Sequence, residues 1–96
     1  MKKKLPDFDR KCVFLSVAGD EHKYTIDEVR FEMQGGRLFI VGTVPRGATN
    51  GDWCEGAGCA VAWDAVLTYL VFDSSEDYQK GLAKFNKYKS KGNDPK

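Results

Sequence analysis

Two thiols separated by four residues, in Cys54-Glu55-Gly56-Ala57-Gly58-Cys59, are the first side chains in this 96-residue chain with types and spacing that could do chemistry. Turned toward one ion through the glycines between them, they could join Cys12 and His22 in a Cys3His tetrahedral zinc set. The spacing argues against it. A common zinc arrangement repeats Cys-x2-Cys, whereas this chain has one wider pair and a distant third thiol. A free Cys more often serves as a small buried hydrophobe. Cys12 fits that description, because it sits in a strand-like run on the face opposite Val13 and Leu15. No metal or other cofactor is therefore expected, with Cys12, His22, Cys54 and Cys59 kept as the set to test. A thiol nucleophile would need its pKa lowered by a cation, a metal or a helix N-terminus. No Lys or Arg lies between Arg46 and Lys80, and the single His, His22, sits in a polar turn beside Asp20 and Glu21. Ser/His/Asp catalysis depends on the same His and lacks Gly-x-Ser-x-Gly. The chain is read as non-enzymatic, with a metal- or redox-active thiol protein using Cys54 and Cys59 as the alternative.

The segment 45–58 holds the other candidates. Four of its residues are glycines (Gly47, Gly51, Gly56 and Gly58), and Pro45 stops the apolar run before it. Neither Gly-x4-Gly-Lys-Ser/Thr nor Gly-x-Gly-x-x-Gly is present, and Asp52 and Glu55 outweigh Arg46, so the loop does not read as a phosphate cradle. Asp52, Glu55 and Asp64 supply carboxylates without the Asp-x-Asp-x-Asp-Gly pattern of a calcium loop. Long loops in compact domains are often functional. The preferred reading is an exposed binding loop with Trp53 as anchor; Asp52, Glu55 and Arg46 would select a cationic or hydrogen-bonding partner, such as another protein. Trp63 lies among Ala and Val and is assigned to the core. The competing account folds Trp53 back over the sheet.

The net charge of +1, from 15 Lys and Arg against 14 Asp and Glu, hides a segregation. Lys2, Lys3 and Lys4 open the chain, and Lys80, Lys84, Lys87, Lys89, Lys91 and Lys96 close it around an acidic middle. Such a pattern suits internal attraction or head-to-tail association. Tyr78, Phe85 and Tyr88 are interleaved with the closing lysines, as in some nucleic-acid modules. Without an Arg in the segment, the aromatics are better read as a core-facing stripe. Nucleic-acid binding through this helix is the second alternative and is disfavoured as a partner class.

These residues must be positioned by a small set of elements. Cys12–Ala18 alternates as a strand, and Tyr24–Gln34 is a second. In the latter, Ile26 is out of phase with Val29, Phe31 and Met33, which calls for a bulge near Asp27 and Glu28. Gly35-Gly36 then joins it to Arg37–Val44 as a two-residue hairpin, with Gln34 opposite Arg37, Met33 opposite Leu38, Phe31 opposite Ile40 and Val29 opposite Gly42. Residues 59–65 lean to a short buried helix on their alanine content. Val66–Phe72, apolar at both parities, reads as a central strand covered on both faces. Ser74 caps a final helix whose apolar stripe is Tyr78, Leu82 and Phe85, with Tyr88 at its edge; Gly81 suggests close approach to the sheet.

Together these give one α+β domain, residues 1–96: a small antiparallel sheet of about four strands with a C-terminal amphipathic helix packed on one face. Residues 1–9 and 91–96 are assigned to flexible ends. The basic start is not followed by an apolar stretch, no run spans a bilayer, and three reduced thiols suit the cytoplasm. A monomer or weak homo-oligomer is expected, with no membrane association.

Overall fold

The computed structural model describes residues 5–92, and side chains as far as residue 87. Five strands are formed: β1 Cys12–Val17, β2 Lys23–Gln34, β3 Arg37–Thr43, β4 Gly58–Ala62 and β5 Val66–Phe72. One helix follows, α1 Ser75–Gly92. The sheet order is β4-β3-β2-β1-β5, and every pairing is antiparallel. The α+β class is as expected; the strand count is five, not about four.

The hairpin has the register its sequence calls for at three of the four pairs: Gln34 pairs with Arg37, Met33 with Leu38 and Phe31 with Ile40. Gly35 (φ 57°) and Gly36 (φ 82°) both occupy the left-handed region that a type I′ turn requires. The fourth pair, Val29 with Gly42, is lost because the ladder shifts between Asp27 and Arg30. Glu28, at φ 54°, is the extra residue. Its insertion puts both Ile26 and Val29 on the inner face, where they are almost completely buried. The bulge also divides β2. Residues up to Ile26 pair with β1, while Asp27 and the residues from Arg30 onward pair with β3. The sheet folds about this strand so that both halves contribute to one core.

That core contains Val13, Leu15, Ile26, Val29, Ile40 and Val61, closed by Phe8. Phe8 is 4% exposed although it lies in the stretch assigned to a flexible end. Backbone bonds hold it there: Arg10 N–H donates to Val29 carbonyl (3.2 Å), Val29 N–H to Lys11 carbonyl (3.2 Å), and Lys11 N–H to Phe8 carbonyl (2.7 Å). The Phe8 ring stacks on Phe31 with centroids 5.8 Å apart and meets the edges of Trp63 and Tyr69 at 5.9 and 4.9 Å. Trp63 is thus part of the core boundary.

Residues 59–65 are not a helix. Ile40 pairs with Val61 and Gly42 with Cys59, so residues 58–62 complete the sheet as β4. Cross-strand pairing and burial of Val61 override the weak helical preference of Ala60 and Ala62. Only Trp63–Ala65 is helical, as one 3-10 turn that carries the chain directly from one edge strand to the other. Strand β5 is accordingly an edge, hydrogen-bonded among the described residues to β1 alone, and not the central covered strand its composition suggests.

The opposite face of the sheet receives α1. Ser74 Oγ accepts the Asp77 N–H at 3.1 Å, forming the expected N-cap. Tyr78 is buried, with its hydroxyl accepting from Thr25 Oγ1 at 3.2 Å and its ring set edge-on to Phe72 at 5.5 Å. Leu82 packs beside Gly47. Beyond it the helix loses contact: residues 83–87 are exposed, and Phe85 is 55% exposed instead of buried. The helix covers one face through its first two turns only. Gly81 does not serve a close approach either, since a Cβ there would lie 3.5 Å from the Phe72 ring, an ordinary contact. Lys2–Lys4, the side chains of Tyr88, Lys89 and Lys91, and residues 93–96 lie outside the described residues.

Candidate functional site

Strand β3 ends at Thr43, and the chain leaves the sheet for the 14 residues 44–57, among them the buried Pro45, before entering β4. This excursion is hydrogen-bonded at its base and within. Val44 N–H donates to Ala57 carbonyl (2.9 Å), and Gly56 N–H to Val44 carbonyl (2.8 Å). Inside, Asp52, Glu55 and Ala57 N–H groups donate to Thr49, Asp52 and Cys54 carbonyls at 3.1, 3.2 and 3.0 Å. Asp52 holds a left-handed backbone (φ 52°), and its Oδ1 accepts the Gly47 N–H at 2.7 Å. Helix α1 fastens the outer side: Gln79 Nε2 donates to the Arg46 carbonyl.

The four predicted binding residues separate on this scaffold. Trp53 is 80% exposed, so it does not fold over the sheet. Asp52 is spent on the loop's own backbone. Arg46 and Glu55 meet at a cleft of about 440 Å³ between the loop and the start of α1. Asp27, Glu76 and Gln79 line the same cleft, and none was a sequence candidate. Nothing in their local spacing marks them; they arrive there because the β2 bulge and the helix N-terminus both face the base of the loop.

The thiol and metal candidates are not assembled. Cys12 is fully buried. Burial, reinforced by the Asp27 carboxylate, pushes its pKa from about 9.0 up to about 12. Cys59 is half-buried in β4 and shifted upward by burial and then by Cys54. Both shifts run against a reactive thiolate. Cys54 Sγ donates to Thr49 Oγ1 at 3.8 Å. His22 is in the β1–β2 turn, where Asp20 Oδ1 lies 3.2 Å from its Nδ1 and accepts its N–H at 2.9 Å. Tyr24 donates to Asp20 Oδ2 at 2.6 Å, and this bond, with the His22 backbone, lowers the Asp20 pKa. The proposed Cys3His set therefore spans the sheet interior, a loop and a distant turn. Among the described residues no group of three or more His, Cys, Asp or Glu is placed to hold a metal ion. The carboxylate set Asp52, Glu55 and Asp64 is also dispersed: Asp64 Oδ1 accepts from Arg37 Nη2 (2.8 Å) and Nε (3.2 Å), which lowers its pKa.

The lysine helix exposes Lys80, Lys84 and Lys87, but Tyr78 is buried and so not available to stack on a base. No described helix is long and apolar enough to cross a membrane. Comparison with protein-family models, with curated proteins and with solved structures gives no match to this chain.

Proposed function

We propose that the protein is a non-enzymatic binding module that presents Trp53 to a cationic segment of another protein. The observation that carries this reading is the 80% exposure of Trp53 on a loop whose backbone is held by its own hydrogen bonds. A large rigid aromatic on an ordered loop binds at a smaller entropic cost than one on a mobile loop, and Trp is enriched at interface hot spots. Glu55, with Glu76 and Asp27 across the cleft, supplies the negative charge that a Lys or Arg side chain would meet, and Trp53, two residues before Glu55 on the same loop, offers an exposed ring to a neighbouring residue of that segment. Arg46 and Gln79 give the cleft donors for a backbone carbonyl of that segment.

A Trp63→Phe variant isolates Trp53 emission. Acrylamide is expected to quench it freely, and a labelled Arg- and Lys-rich peptide to bind saturably with an affinity that falls as salt rises. Trp53→Ala is expected to leave the melting temperature nearly unchanged and to weaken that peptide by about 30-fold, the equivalent of ~2 kcal/mol. A Trp53 shielded from acrylamide, or peptide binding indifferent to Trp53→Ala, overturns the proposal.

A further inference from the structure

We propose that β5 is a self-pairing edge, through which two copies of this chain associate by antiparallel strand addition. Sheet edges in monomeric proteins are normally blunted by Lys, Pro or a bulge along their length. Strand β5, Val66-Leu67-Thr68-Tyr69-Leu70-Val71-Phe72, contains no charge, no Pro and no Gly. Its one irregularity, the register shift opposite Ser16 and Val17, lies at its first residues. Its other edge has no strand partner among the described residues. Apolar side chains flank that edge on both faces: Leu67 is 69% exposed, Leu70 53%, Tyr69 41% and Val71 41%. The opposite edge of the sheet, β4, is shorter and built of Gly58, Cys59, Ala60, Val61 and Ala62, so it offers little to grip.

The occupant is a second copy because the strand is complementary to itself. Turned antiparallel about Tyr69, it sets Leu67 against Val71, Thr68 against Leu70 and Val66 against Phe72. Every cross-strand pair is uncharged, and the only polar side-chain atoms are the Thr68 and Tyr69 hydroxyls. The flanking charges also fit. Asp64 just before the strand is paired with Arg37 at 2.8 Å, and Asp73 just after it with Lys11 at 3.2 Å. The two-fold brings the Asp64–Arg37 pair of one copy beside the Asp73–Lys11 pair of the other, so each end of the joined strands carries two carboxylates and two cations. An unrelated strand would have to supply both the apolar register and this charge balance. Seven residues give ~23 Å of edge, and one sheet thickness of ~10 Å makes the contact roughly 230 Å² per copy, well below the ~800 Å² of a standard interface. The association is therefore weak and concentration-dependent.

Sedimentation equilibrium of the full chain, from about 5 to about 500 µM, tests this across the micromolar range of weak pairing. The expected result is a monomer–dimer equilibrium whose dissociation constant rises at least tenfold in Leu70→Lys. Leu70 is half-exposed, so its melting temperature at low concentration should stay near wild type. Phe85→Lys, on the exposed part of α1, should dimerise like wild type, and so should Trp53→Ala. A wild-type chain that remains monomeric at the highest concentration overturns the inference. So does a dimer indifferent to Leu70→Lys, or one abolished by Phe85→Lys or Trp53→Ala. A monomer that binds an extended apolar peptide along β5 would replace the second copy with a different partner and refute self-pairing. The peptide-binding test of Trp53 reads a different surface, so either proposal can fail alone.

Discussion

Strands β3 and β5 are each seven residues long, and β5 is the more apolar, with six apolar or aromatic residues against four: Arg-Leu-Phe-Ile-Val-Gly-Thr against Val-Leu-Thr-Tyr-Leu-Val-Phe. Their environments are opposite. Strand β3 lies between β2 and β4, and Ile40, Val41 and Gly42 in its second half are buried. Strand β5 has one neighbour, and its five middle residues are exposed. Only its two ends are half-covered, Val66 by the core and Phe72 by Tyr78 of α1. The difference is one of neighbours, not of composition: a strand is buried by what pairs with it and what packs over it. In β5 the apolar surface left over is the clearest unspent feature of the fold.

Deleting a side chain at equivalent apolar positions should break the symmetry between the two strands most strongly. Ile40→Ala removes a fully buried residue and should cost about 2–5 kcal/mol, while Leu70→Ala should cost no more than ~0.5 kcal/mol. Urea denaturation at low protein concentration measures both; similar costs would show that β5 is covered. Gly42→Ala comes next. A Cβ at this position would run into the Asp27 carbonyl and sit 2.5 Å from Ile26 Cγ2, where the bulged strand passes. Overpacking of this kind should lower stability by about 1–3 kcal/mol, and a neutral result would mean the bulge can slide.

The covered end of β5 gives two finer tests. Cys12 pairs with Phe72, and its thiol has a pKa near 12 against 9.0 when unperturbed. Between those values the unfolded chain has lost the proton and the folded chain has kept it. The Cys12 contribution to folding stability should therefore be constant below pH 9 and fall as pH rises toward 12. Cys12→Ala should reduce the alkaline slope in a pH series of melts, the remainder coming from Cys59, Tyr24 and Tyr78, which are also shifted upward; an unchanged slope would place the effect elsewhere. Gly81→Ala should have the smallest effect and the opposite sign. The added methyl has room beside Phe72, and the helix interior gains about 0.5–1 kcal/mol. Destabilisation there would show that α1 sits closer to the sheet than 3.5 Å contacts imply.

The candidate site was legible in part for the same reason. Trp53 between Asp52 and Glu55 in a glycine-rich loop could be assigned to the surface because two carboxylates without nearby cations resist burial. The hydrogen bond that consumes Asp52 could not be read, since it depends on how the loop closes on Gly47. Asp27, Glu76 and Gln79 lie 18 or more residues outside the loop 45–58 in sequence and join the cleft only through packing. The thiols show the converse: Cys54 and Cys59 are close along the chain, but their proximity does not bring Cys12 or His22 with them.

Local chemistry alone determined the hairpin, the bulge and the helix start. Two glycines can take the left-handed turn, the phase slip between Ile26 and Val29 demands an extra residue, and Ser74 offers an oxygen to Asp77. Each is settled within a few residues, by backbone sterics and side-chain period. Tertiary structure decided which strands became edges, that 58–62 joined the sheet, that Phe8 closed the core and that Phe85 did not. Those outcomes turn on which surfaces meet. Burial is a property of pairs of segments distant in sequence, so an apolar run such as Val66–Phe72 reads the same whether a neighbour arrives or not.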